Sequence, residues 1–187
     1  QRYRITPNGV SPMAVLGMKG GMYQTNGLEH DESGKPSATY VTHEKMSDKR
    51  SRKLTSILER YGTHDIQGAS AADVGVLCWG SSNGPVREAI ELVNAKGHKA
   101  SVFLTPMLAP FPVEACERFI ASVRELIVVE VSFGGQFLHY LRSILDLPKG
   151  HTHHFKRAGG RVLTPAEIET QILRICGQLH AAPQVFS

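Results

Sequence analysis

The stretch Val74-Gly75-Val76-Leu77-Cys78-Trp79-Gly80-Ser81-Ser82-Asn83-Gly84-Pro85 limits the folds open to this chain more than any other segment. A short apolar run stops at small, turn-prone residues. Pro85 then opens a segment, Val86 to Val93, whose apolar residues recur at helical spacing. Proline suits the first turn of a helix, where its missing N–H costs nothing. The side chain of Ser82 or Asn83 is expected to cap the free amides there. The pattern reads as buried strand, tight turn, helix. In an open α/β sheet such turns sit at the carboxyl ends of strands, where ligands and partners gather.

The same alternation continues to the end of the chain. Ala100–Leu104 reads as a second strand, and Val113–Val123 as a helix. Between them, three prolines from Thr105 to Pro112 exclude regular structure. Leu126–Val131 is apolar on both faces, as a central parallel strand should be. Phe133-Gly134-Gly135-Gln136 turns it into a helix reaching about Leu145, and Thr152–Arg157 reads as a short strand. Thr164-Pro165-Ala166-Glu167 is a capping box with proline at the first helical position, opening a last helix, Ala166 to about Leu179. Strand and helix in turn predict an α/β domain over 73–187: three αβα layers around a mostly parallel sheet of about five strands.

The first third differs. Residues 1–42 carry nine Gly and Pro and no sustained period, so they are expected as an irregular arm. Glu29-His30-Asp31-Glu32 lacks the spacing of a zinc helix and reads as a polar loop. Residues 43–61 read as a helix stopped by Gly62, with Met46, Leu54, Ile57, Leu58 and Tyr61 on one face and Lys45, Lys49, Arg50, Arg52 and Lys53 over much of the rest. Thr63–Ala72 is small and polar and reads as a hinge, so that 43–72 forms a basic linker.

The net charge of +4 lies wholly in this part: residues 1–64 hold ten Lys and Arg against six Asp and Glu. A basic flank without readout residues does not make a nucleic-acid module. It fits a solvated face, or a phosphate or partner contact through Lys49, Arg50 and Lys53. No apolar run is long enough to span a membrane, and no signal peptide is visible. Cys78, Cys116 and Cys176 are far apart with no Cys-x-x-Cys, which supports neither a zinc site nor a cluster run. Cys78 and Cys176 lie in apolar runs and read as reduced core thiols, which fits a cytoplasmic protein.

Three places can be asked about chemistry. The turn Gly80, Ser81, Ser82, Asn83, Gly84 lacks both the Gly-x-Gly-x-x-Gly pattern and a P-loop lysine, yet amides at a helix start can hold a phosphate or carboxylate. Glu130, at the end of a buried strand and followed by Gly134, Gly135 and Gln136, needs a partner, and suits a general base or a contact to a neighbouring subunit. His151, His153 and His154 include alternate positions on a strand face, but no carboxylate or thiolate lies near them in sequence, so no metal site is expected. No nucleophile, base and orienter come together, so catalysis by this chain alone is not expected.

Several motifs carry a resemblance. Arg2-Tyr3-Arg4-Ile5-Thr6, Asn8-Gly9-Val10-Ser11-Pro12 and Thr25 to Gly34 resemble the 2-oxoacid:ferredoxin oxidoreductases, at the end of the catalytic part of the alpha subunit, as in the 2-oxoglutarate enzymes. The helix with Lys49, Arg50 and Lys53 is similar to that family's linker. Gly80-Ser81-Ser82 with Gly84, Pro110-Phe111-Pro112, and Glu130 with Gly134-Gly135-Gln136 resemble the domain that follows, which has the transketolase C-terminal fold. Val131-Ser132 departs from the family, which usually has Asn there.

The resemblance implies a reaction: a 2-oxoacid and coenzyme A give an acyl-CoA, carbon dioxide and reduced ferredoxin. It implies thiamine diphosphate, Mg2+ and iron–sulfur clusters in the complete enzyme, none bound by this chain. It implies the beta subunit as partner, with ferredoxin and CoA met through the complete enzyme, and allows a homo-oligomer. The chain, which opens on Gln1, is then expected to be a C-terminal piece of the alpha subunit, inactive alone and interface-forming, with the Gly80–Pro85 turn as a seat for an anion such as part of CoA. The alternative is a stand-alone binding or regulatory module that docks an acidic protein through helix 43–61.

Overall fold

Among the described residues, five short strands and four helices make up the second of two compact units, which divide the chain into residues 1–62 and 63–187. A computed structural model describes residues 1–61 and 64–181, with side chains to Leu179. Gly62, expected to stop the linker helix, and Thr63, at the start of the expected hinge, lie outside the described residues, as do 182–187 of the expected domain.

In the second unit the elements are β1 (Asp65–Gly68), β2 (Val74–Cys78), α2 (Asn83–Ala95), β3 (Ala100–Leu104), α3 (Val113–Ala121), β4 (Glu125–Val131), α4 (Gln136–Ile144), β5 (Thr152–Arg157) and α5 (Pro165–Ala181). The sheet order is β1-β3-β2-β4-β5. Every neighbour pair is parallel except β1 with β3. The chain belongs to the expected class: three-layer α/β with a five-stranded, mostly parallel sheet. The stretch expected as a hinge contains β1, an antiparallel edge strand. Its four residues, Asp-Ile-Gln-Gly, are too few and too polar to show a strand period.

The strand period sorts side chains onto two cores. Val74, Val76 and Cys78 of β2 pack with Val86, Ile90 and Val93 of α2 and with Ile168, Ile172 and Ile175 of α5. Leu77, Phe103 and Val128 pack on the opposite face with Phe119 of α3 and Leu138 and Leu141 of α4. Each such side chain, fully withdrawn from water, stabilises the fold by about 1.5–3 kcal/mol. Cys116 joins the second core, and all three cysteines are buried and outside any disulfide.

Helix starts follow the sequence in one case and depart from it in another. Thr164 and Glu167 form the expected capping box, with Thr164 N donating to Glu167 Oε2 at 2.9 Å. Neither Ser82 nor Asn83 caps α2. A 3-10 turn over Gly80–Ser82 leads into the helix, so Ser82 already has helical torsions (φ −74°, ψ −16°) and makes no side-chain cap bond. A capping side chain needs an extended cap residue to reach back. Asn83 Oδ1 instead accepts from Cys78 Sγ at 3.2 Å.

In the first unit, α1 (Tyr40–Tyr61) follows an irregular arm. The expected apolar face is corrected: Met46 is buried but Leu54 and Tyr61 are exposed, and the second buried position is Lys49. The arm supplies the reason. It lies along the helix, and Gly9 sits so close that a Cβ there would fall 2.2 Å from Lys49 O and 2.6 Å from Lys53 N.

Candidate functional site

The carboxyl ends of β2 and β4 lie side by side, and their connections leave the sheet on opposite faces. This is the switch point at which open α/β sheets form a crevice. Gly80, Ser81 and Gly84 are exposed there beside Gly134 and Gln136, while Ser82 and Gly135 are buried. Two aromatic residues frame this edge: Trp79 is 44% exposed and Phe133 is 87% exposed. Trp79 also packs on Phe137, ring centroids 6.2 Å apart, which ties the first turn to α4.

Glu130 is 1% exposed and turns into the protein. Its Oε2 accepts from Ser132 Oγ at 2.6 Å and from the Phe137 amide at 2.9 Å. Its Oε1 accepts from the Leu138 amide at 3.1 Å and lies 2.8 Å from His154 Nε2. Burial pushes the carboxyl up, but these hydrogen bonds outweigh it and hold Glu130 below the usual carboxylate range. The carboxylate does for α4 what a cap residue normally does. The N-cap itself is Gly135, in the left-handed region at φ 70°, with no side chain to offer. Glycine is required there: a Cβ would stand 2.7 Å from His154 Cε1. Ser132 bridges the loop by donating to Glu130 and accepting from the Gln136 amide at 3.0 Å.

The histidines do meet carboxylates, which the local sequence did not show. His151 Nδ1 is 2.7 Å from Glu125 Oε1, and His153 Nε2 is 2.8 Å from Glu125 Oε2. The parallel register sets Ile127 beside His153 and Val128 beside His154. That register delivers one pair to each face of the sheet. Burial raises the Glu125 carboxyl, and the two histidines together lower it by more, for a net fall.

The three candidate docking cations have different fates. Lys49 is buried and donates from Nζ to Tyr3 O at 3.1 Å and Ser11 Oγ at 2.9 Å. Arg50 grips Glu29 through two bonds of 3.0 and 2.9 Å. Lys53 stays exposed. In the polar loop, Glu29 also meets His43, His30 stacks on Tyr3, and Glu32 accepts from the Ile5 amide at 2.8 Å. These contacts span 14 to 27 positions in sequence, so no local signal announces them.

Residues 72–168 match the family described as pyruvate:ferredoxin oxidoreductase core domain II. The alpha subunit of 2-oxoacid:ferredoxin oxidoreductase 2 from Aeropyrum pernix is 32% identical over 178 residues, covering 94% of this chain and 27% of its own length. The 2-oxoglutarate synthase subunit KorA of Methanothermobacter marburgensis is 26% identical over 148 residues, covering 79% of this chain and 39% of its own. The solved 2-oxoglutarate:ferredoxin oxidoreductase of Magnetococcus marinus, with 2-oxoglutarate, coenzyme A and succinyl-CoA bound, superposes with a TM-score of 0.81 at 34% identity, over 92% of this chain and 30% of that one. The chain thus spans between about a quarter and two-fifths of the length of these relatives.

Proposed function

We propose, from the premise that the chain belongs to the pyruvate:ferredoxin oxidoreductase core domain II family, that it serves within the alpha subunit of a 2-oxoacid:ferredoxin oxidoreductase of the 2-oxoglutarate type. The observation that carries this is the reach of the likeness. It includes the irregular arm and α1 as well as the α/β unit, at 34% identity to an enzyme of that type. The reaction proposed for the assembled enzyme joins a 2-oxoacid and coenzyme A, releases carbon dioxide and reduces ferredoxin.

The donor sets in this chain do not fit that enzyme's inorganic groups. The three thiols are separated between two cores, and burial pushes Cys78 and Cys116 up to about 12, far from a cluster-ligating thiolate. Among the described residues no group of three or more His, Cys, Asp and Glu could hold a metal ion. We therefore assign no chemical step to this chain. Its proposed work is structural, in three parts: the arm from the end of the thiamine-binding region, the basic linker, and the α/β domain from residue 73. The edge with Gly80, Ser81, Gly84, Gly134 and Gln136 is proposed as contact surface for another polypeptide of the same enzyme, the beta subunit. The exposed Trp79 and Phe133 favour that over a small anion, because exposed aromatic pairs suit protein contacts. No described helix is long and apolar enough to cross a membrane, and buried cysteines outside any disulfide suit the cytoplasm proposed here.

The test is reconstitution. Purified chain is expected neither to bind thiamine diphosphate nor to decarboxylate 2-oxoglutarate alone. Supplied with the remaining polypeptides of a 2-oxoglutarate:ferredoxin oxidoreductase, it is expected to co-purify with them. That assembly should reduce ferredoxin only when 2-oxoglutarate and coenzyme A are both present. Turnover by the chain alone, or no association with those polypeptides, refutes the reading.

A further inference from the structure

Three of the chain's five methionines, Met13, Met18 and Met22, fall within ten residues of the arm. The backbone gathers them. Met18 N donates to Val15 O at 3.1 Å and Gly21 N donates to Met18 O at 3.0 Å, so two successive turns reverse the chain. The segments before and after the turns come together: a Cβ on Gly21 would stand 3.1 Å from Met18 Cβ and 3.5 Å from Ala14 Cβ. Met13, Met18 and Met22 therefore line one cavity of about 230 Å3. Tyr3 and Tyr23 wall it, their rings edge to face with centroids 6.2 Å apart.

Packing within the chain does not account for these side chains. They are 68%, 55% and 99% exposed, whereas a methionine in a core is there to fill space. A seat for another polypeptide would ask only for apolar surface, which leucine offers as well. What sets this cluster apart is sulfur. Thioethers are soft, uncharged donors that select Cu(I), while carboxylate and carbonyl oxygens suit Mg2+ and Ca2+. Among the described residues that line the cavity there is no Asp, Glu, His or Cys, so a harder cation finds no carboxylate, imidazole or thiolate. The one charged side chain in the lining, Arg2, is held over the Tyr23 ring, 5.8 Å from its centroid. Its charge repels a divalent ion about twice as strongly as a monovalent one at the same distance. A methionine side chain turns about three bonds, so exposed sulfurs of this kind can close on an ion between them.

We propose that Met13, Met18 and Met22 form a thioether site for a soft monovalent cation, Cu(I). The site lies wholly in the first unit and is independent of the function proposed above.

NMR of the whole chain, carrying methyl-labelled methionine, tests it. The titrants are Cu(I) kept reduced with ascorbate and Ag(I) as a soft monovalent probe that needs no reductant. The ε-methyl signals of Met13, Met18 and Met22 are expected to shift together and saturate at one equivalent of either ion. Met46, buried on α1, and Met107 are the internal references and should not move. Zn2+ and Mg2+ should shift none of the five. Met18→Leu keeps the apolar volume at an exposed position, so the fold is retained, yet it removes a donor. It is expected to weaken Ag(I) binding about tenfold or more, since even outer-shell changes cost metal sites that much. Met107→Leu should leave binding unchanged. Thioethers take up no proton, so affinity should be equal at about pH 7 and about pH 5, where histidine donors are lost to protonation. No saturable shift with Cu(I), Met46 and Met107 moving with the other three, Zn2+ acting as Ag(I) does, affinity lost at pH 5, or Met18→Leu without effect overturns the proposal.

Discussion

Replacing Glu130 with Gln is the sharpest test of how this fold holds its carboxyl-terminal edge. The change keeps the side-chain volume and removes one acceptor. Each carboxylate oxygen serves two donors: Oε2 takes Ser132 Oγ and the Phe137 amide, and Oε1 takes the Leu138 amide and His154. Whichever way the new amide turns, its NH2 faces one α4 backbone amide, which is orphaned, while the other neighbour, Ser132 Oγ or His154 Nε2, can turn or change tautomer to accept from it. One buried amide without a partner costs about 1–3 kcal/mol. The two bonds that remain lose their charge, and with it about half their strength. A loss of about 4 kcal/mol follows, a large share of the ~5–15 kcal/mol that holds a domain. In urea, with a slope of about 2 kcal/mol/M, the midpoint should fall by about 2 M. Trp79 is the single tryptophan and lies against Phe137 of α4, so its fluorescence reports the helix directly. A loss below about 1 kcal/mol would show that the carboxylate is not what holds the start of α4.

Four other perturbations have expected outcomes. Gly135→Ala meets both a left-handed φ of 70° and a Cβ 2.7 Å from His154 Cε1, and should cost about 1–3 kcal/mol in the same urea assay; a neutral result would mean the α4 start can shift. Glu125 and Glu130 have folded-state pKa values below their ordinary value of 4.5, so their stabilisation is present above that value and lost as pH falls through the lowered ones. Unfolding free energy should therefore drop steeply with acid below about pH 4.5, and Glu130→Gln should flatten that slope; an unchanged slope would remove Glu130 from the cause. Burial holds Cys78 and Cys116 at about 12, so a thiol reagent at pH 8 should label the native chain only at its opening rate, and immediate labelling of either would contradict their packing. Gly9→Ala would drive a methyl into Lys49 O and Lys53 N, at 2.2 and 2.6 Å, so amide exchange over residues 1–39 should accelerate; unchanged exchange would show that the arm does not rest on α1.

What the sequence made legible was whatever repeats at short range. Apolar runs of strand length, the helical spacing after Pro85 and the Thr164 box each act within a few residues, and each specified its element. The start of α2 departs from the sequence expectation because a cap residue and a 3-10 turn use the same small residues, and only the torsions of Ser82 distinguish them. β1 carries no signal of its own because an edge strand of four residues takes its stability from β3, not from its own pattern. The site features were hidden for a different reason. His154 finds Glu130 and His153 finds Glu125 only once β4 and β5 are in register, 24 and 28 positions apart. Lys49 reads as a surface cation on a helix wheel, yet the arm folds back 46 positions to place Tyr3 O over it. Composition recorded the charge surplus of the first third, but not that Lys49 and Arg50 are engaged by Tyr3, Ser11 and Glu29 of the arm.

The strand β1 bears on where this protein can be cut. It closes the open side of β3, whose five residues Ala-Ser-Val-Phe-Leu are all buried. The matched family region begins at residue 72, four residues after β1 ends. A domain trimmed to that boundary would carry its sheet and all four helices, yet expose a naked row of β3 amides and carbonyls beside Val102 and Phe103. Such an edge templates addition of another chain. The trimmed domain would be expected to precipitate or pair edge to edge, while one that starts at residue 64 would not.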